Sequence, residues 1–121
     1  MESNNEISVN KETFFCDIQH AFSSYYPFLK IDFFLNITGI DINKKKAIDP
    51  TTSISKFLSN HPVVTINFNS DKTVSEVSDD IKNRLNVIVQ VLRKSGNIWL
   101  PISLTENWTL ENQNAAGELL A

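Results

Sequence analysis

The residues best suited to recognition cluster late in the chain. Arg93-Lys94-Ser95-Gly96-Asn97 sets two cations on a tight polar turn between apolar runs, and Trp99 follows directly. A rigid turn of this kind is a place where recognition residues sit, although a solvated hairpin loop is its commoner use. The second tryptophan, Trp108, stands just before a capped helix. Trp99 is expected in the core of its strand, and the Trp108 ring is expected to dock the helix that follows onto the sheet. Either ring, if exposed, becomes an interface candidate. Arg93, Lys94, Asn97, Trp99 and Trp108 are therefore the candidate interaction residues.

Other reactive types give weaker signals. His20 and His61 are the only histidines, and their spacing matches no metal-ligand pattern. Cys16 adjoins an apolar stripe and reads as a small packed hydrophobe with no base beside it. Asp79 and Asp80 are adjacent on a helix, so their side chains diverge by about 100° and form a solvated face rather than a working pair. Lys44-Lys45-Lys46 and Lys56 can reach phosphate, but in an acidic chain such a run reads as a soluble loop. No phosphate-binding glycine loop, metalloprotease motif or nucleophile elbow is present. The sequence thus points to no catalytic residue, cofactor or metal, and leans away from an enzyme.

Composition sets the outer bounds. The 121 residues are the size of one domain, 1–121, able to bury roughly two thirds of the surface exposed by the unfolded chain. Eight phenylalanines against three glycines favour compact packing. A net charge of −3 and a pI near 5.3 give no basic field for nucleic acid. A single cysteine excludes an internal disulfide. The apolar runs are too short to cross a bilayer, which takes about 20 residues, and the polar, acidic start is unlike a signal peptide. A cytoplasmic location is expected, in which the sequons at Asn36 and Asn107 are coincidental.

The elements that position these residues follow from periodicity. Ile7 to Val9 can form a short strand. Phe15, Ile18, Phe22 and Tyr26 make one helical stripe, with Thr13 expected as its N-cap and Pro27 as its stop. Leu29, Ile31, Phe33 and Leu35 alternate as one face of a strand. Residues 36–62 form an irregular insert, with one short helical turn from Ile54 to Leu58. Val63 to Phe68 reads as a strand. Thr73 and Glu76 form a capping box for a helix from Val74 to Leu85, whose stripe is Val74, Val77, Ile81 and Leu85. A hairpin from Val87 to Ile102 and a helix from Leu110 to about Leu120, capped by Thr109, complete the chain.

The two stripes match at one constant offset, and each helix leads into an alternating strand. The chain therefore reads β-α-β, insert, β-α-β, strand, helix. That order predicts an α+β fold, most simply a ferredoxin-like sandwich of a mostly antiparallel sheet with helices on one face.

The segments Leu92 to Trp99 and Thr105 to Asn114, with Tyr26 to Ile31 and Lys72-Thr73-Val74, resemble a family of small uncharacterised bacterial proteins found mainly in Bacteroidota. Its C-terminal block is similar to RKSGN-W … T-(D/E)-(N/D)-WTLE-QN. The resemblance covers most of the chain, excludes Asn36 to Pro62, and departs at the first helix, where a Thr-Val start is replaced by Thr13-Phe14-Phe15. It implies a cytoplasmic single-domain protein and carries over no activity or ligand. The function expected on these grounds is association, as a homodimer or with a protein partner. The alternatives are a small-molecule-binding regulatory domain with a pocket near Trp99, or, less favoured, nucleic-acid binding through the Arg93-Lys94 tip and the lysine loop.

Overall fold

The computed structural model describes residues 5–37 and 46–121; Lys44 and Lys45 of the lysine run lie outside them. The elements are β1 (Glu6–Val9), α1 (Phe15–Tyr25), β2 (Leu29–Leu35), a 3-10 turn (Ile54–Phe57), β3 (Val64–Asn67), α2 (Val74–Leu85), β4 (Val87–Ser95), β5 (Ile98–Pro101) and α3 (Leu110–Leu120). The class is α+β and every strand pairing is antiparallel.

The sheet arrangement departs from a ferredoxin-like order. The described residues form two sheets, β1-β3 and β2-β4-β5. In a ferredoxin-like sheet β3 would lie between β1 and β2, whereas here β2 takes β4 as its neighbour through seven residue pairs, Leu29↔Arg93 to Leu35↔Val87. Alternation in β2 fixes which side chains face inward but says nothing about which strand lies alongside. The long ladder matches Leu29, Ile31, Phe33 and Leu35 against Val87, Val89, Val91 and Arg93 on the inner face.

The sequence repeat is a structural repeat. Ile7 pairs with Ile66 and Asp32 with Gln90, each residue facing its own counterpart in the other half across a local near-dyad. The helix starts repeat as well. Phe14, preceding α1, bridges to Ser53, and Thr73, preceding α2, bridges to Thr109. Around the first bridge Phe15 N–H donates to the Thr52 carbonyl, Ile54 N–H to Thr13 and Cys16 N–H to Pro50. Around the second Val74 N–H donates to Trp108, Leu110 N–H to Lys72 and Ser75 N–H to Glu106. The register is identical, so the 3-10 turn at Ile54 holds the place in the first half that α3 holds in the second. Ala47, which bridges Phe34 on the outer edge of β2, stands where β5 stands beside β4.

All three helices pack on the three-stranded sheet. The stripes Phe15, Ile18, Phe22 and Val74, Val77, Ile81, Leu85 join Leu29, Ile31, Phe33, Val87 and Val91 in one core. The first half packs aromatically, with Phe15 against Phe33 and Phe57 at 4.9 and 5.1 Å and Phe22 against Phe68 at 5.1 Å. Tyr26 is buried, donates its hydroxyl to the Phe68 carbonyl and accepts from Asn5. Burial, only partly offset by the Asn5 hydrogen bond, raises its pKa above the ordinary phenol value.

The helix caps differ from expectation in one place. Thr73 and Glu76 form the expected box, and hydrogen bonding from the Thr73 backbone N–H, then from its side chain, holds the Glu76 carboxyl below its ordinary pKa. Thr13 does not cap α1. Its hydroxyl is engaged with Asn10, and Phe14, which has no side-chain acceptor, takes the N-cap position while Asp17 accepts from the Phe14 N–H.

Candidate functional site

The hairpin tip decides where the candidate residues point. Gly96 has a φ of +60° at the first position of the two-residue turn Gly96-Asn97, as a type II′ turn requires. This turn pairs Ser95 with Ile98, Lys94 with Trp99 and Arg93 with Leu100. Successive strand residues face opposite sides. Arg93 and Leu100 therefore share the inner face with Val91, while Lys94 and Trp99 lie on the outer face.

That register corrects the placement of Trp99. It is half-buried on the outer face, not a core residue, because its partner is Lys94 rather than Arg93. The ammonium groups of Lys30 and Lys94 lie 4.5 and 5.1 Å from its ring centroid, a double cation–π contact. Around it stand Phe34, Ile88, Leu92 and Pro101, with Asp32 and Gln90; none of the side chains on this face is buried. Asn97 is exposed at the turn.

Trp108 is 45% exposed. Its carbonyl accepts from Val74 N–H at the start of α2. Its ring lies beside the guanidinium of Arg93 on β4, 5.9 Å from centroid to Cζ.

On the inner face, Arg93 is held by a polar chain that sequence reading missed. Gln113 is fully buried. Its amide nitrogen donates to both the carbonyl and the hydroxyl of Thr105, which fixes the amide so that Oε1 accepts from Arg93 Nη1 at 2.9 Å. A buried glutamine on the inner side of an amphipathic helix was the available signal, since a buried amide needs partners. Gly117 lets α3 sit close: a Cβ there would lie 2.8 Å from Phe28 Cβ and 3.2 Å from Arg93 Cγ. Among the described residues no carboxylate approaches Arg93 within ion-pair distance, the one salt bridge being Arg84–Asp80 on α2.

The hollow beside Arg93 measures about 350 Å³ and is lined by Ser95, residues 100–105 and Leu120. It lies on the opposite face from Trp99. Another hollow, about 660 Å³, is an open depression near Lys11, Glu12 and His61 at the start of α1. A third, about 240 Å³, is lined by Leu35, Ile37 and Phe57 among others. Among the described residues no group of three His, Cys, Asp or Glu side chains converges as a metal site. No helix there is long and apolar enough to cross a membrane. Comparison with known proteins gives no match to a family model, a curated protein or a solved structure.

Proposed function

We propose that this protein is a non-catalytic interaction module whose outer sheet face takes a short apolar segment of a partner protein flanked by carboxylates. The observation that carries this reading is the outer face of β2-β4-β5, where Ile88, Leu92 and Trp99 are only half-buried and Pro101 is exposed, beside Lys30 and Lys94. Contiguous apolar surface rimmed by charge is the mark of a protein-binding site, and Trp99 supplies the aromatic anchor that such sites favour.

Dimensions favour a segment over a second domain. Strands of seven, nine and four residues, at about 3.3 Å per residue and about 4.8 Å apart, offer roughly 300 Å², against about 800 Å² per partner in a standard interface. A helix about 10 Å wide or one extended strand fits that area. A symmetric pair of copies would bring the same positively charged patch, Lys30 and Lys94, from both sides. Edge pairing is also blunted. Ile102 N–H donates to the Val91 carbonyl, so the ladder's alternation turns the backbone of Trp99 and Pro101 to the free edge of β5, and Pro101 has no N–H to offer. The single free thiol of Cys16 is in keeping with a reducing, cytoplasmic setting for the partner.

A peptide-display selection on the full chain, repeated with Leu92→Glu and Lys30→Glu, tests this. Peptides with an apolar core and flanking Asp or Glu should be enriched on the wild type and lost on both variants. Enrichment of no sequence, or of peptides that bind Leu92→Glu equally well, overturns it.

A further inference from the structure

The two halves of the chain provide an internal control for Arg93. In the β2–β4 ladder the near-dyad exchanges the pair Leu35↔Val87 with the pair Leu29↔Arg93, so Leu35 is the counterpart of Arg93. The matched caps Ser53 and Thr109 make Phe57 the counterpart of Gln113. Leu35 and Phe57 line the 240 Å³ hollow of the first half, and Arg93 lines the 350 Å³ hollow of the second. The scaffold is therefore satisfied by an apolar pair at this place. In the second half the same place holds a guanidinium and the buried amide that orients it.

We propose that the hollow beside Arg93 binds a small organic anion, a carboxylate or phosphate head on an apolar body. The guanidinium is fixed in position through Gln113 and Thr105, uses one Nη donor internally, and has no carboxylate of this chain to neutralise it among the described residues. A planar fork of donors suits two oxygens of one anionic group. Ser103 and Thr105 add hydroxyls to the lining. The rim is apolar, with Leu100 47%, Leu104 96% and Leu120 53% exposed, which suits a hydrocarbon or ring next to the charged head. The volume lies within the range of roughly 300–1,000 Å³ used by small-molecule sites. The carboxyl end of α3 adjoins the hollow and disfavours an anion, but the Leu120 carbonyl there is already engaged by Gly96 N–H at 2.8 Å. This site shares only Pro101 at the sheet edge with the outer surface assigned to a protein partner, and Arg93 and Gln113 lie on the opposite face, so the two readings stand or fall separately.

The test is an NMR titration of the full chain with hexanoate, hexyl phosphate and hexanol at matched ionic strength, following the Arg93 Nε–H and Thr105 amide signals. At least one anion should give saturable shifts, at least tenfold tighter than hexanol, and the stronger of the two identifies the head group. Affinity should fall at least tenfold in Arg93→Gln and stay unchanged in Arg84→Gln. Should Arg93→Gln fail to fold, Arg93→Leu with Gln113→Phe copies the pairing of the first half and should lose binding as fully. Shifts that do not saturate, equal binding of hexanol, or undiminished binding by the Arg93 variants overturn the proposal.

Discussion

The halves of this chain share a frame and differ in what they place on it. Both run strand, helix, strand, and both tie the helix start to a second N-cap through the same three backbone hydrogen bonds. The first half follows that frame with a four-residue 3-10 turn and fills its interior with Phe15, Phe22, Phe33 and Phe57. The second half uses Val74, Val77, Ile81 and Leu85 instead, extends β4 into a hairpin, and adds the eleven-residue α3. Aromatic bulk closes the first half by packing alone. The second half adds α3 against β4 and β2, and with it come the buried amide and the oriented cation. The comparison separates what the frame requires from what was added to it.

The largest break in that comparison is expected from the core. Phe22→Ala should cost about 3–5 kcal/mol and its counterpart Ile81→Ala about 2–5 kcal/mol. Because both side chains belong to one core, denaturant unfolding of each variant should remain a single transition. Two transitions would show that the halves unfold independently.

Next in size is the polar chain. Gln113→Leu strands the Arg93 guanidinium and should cost about 1–3 kcal/mol, more if its charge is left fully unpaired. The double change Arg93→Leu with Gln113→Phe should recover most of that loss, since an apolar pair in place of a buried polar one is often neutral or stabilising. Thermal unfolding of the three variants checks this. A double variant no better than Gln113→Leu would break the assigned correspondence.

The caps should differ more gently. Thr73→Ala removes a bonded N-cap side chain at a cost of about 1 kcal/mol, whereas Phe14→Ala removes no cap hydrogen bond from α1 and should cost less by denaturant titration.

The smallest effects lie in pH. The Glu76 carboxyl, and Asp49 through its bonds to Thr51, titrate below their ordinary values in the folded chain. The unfolded state then binds more protons, so their contribution is complete above about pH 4.5 and is lost as pH falls. Tyr26 is raised above 10.0, so the folded state holds the proton longer. Its contribution is complete below that value and is lost as pH rises beyond it. Glu76→Gln should flatten the acid limb of a stability profile and Tyr26→Phe the alkaline one. The counterpart of Tyr26 is Leu85, so the alkaline limb belongs to the first half alone.

Much of this frame was legible in the residues. The Thr73–Glu76 box, the Thr109 cap and the two stripes gave α2, α3 and the repeat, because capping and periodicity are local. The Thr13 cap was misplaced because Asn10, a competing partner for its hydroxyl, stands outside the helix. Strand order was hidden because β2 has the same alternation whichever neighbour it takes. The side of Trp99 turned on a single residue of hairpin register. The partnership of Arg93 with Gln113 joins residues on separate elements, and no local pattern records it.

The pairing of β1 with β3 and of β2 with β4 has a consequence for the growing chain. Ile7 waits for Ile66 and Asp32 for Gln90, so apart from the bridge at Ala47 the first two strands emerge from the ribosome before their partners exist. At roughly 5–20 residues per second, a delay of about sixty residues leaves their edges open for some 3–12 s. In that interval the aromatic first half is at its most adhesive, and among the described strand pairs the β4–β5 hairpin, made last, is the one that can close as soon as it is synthesised. Completion of the second half is thus the event that retires the first half's open strand edges.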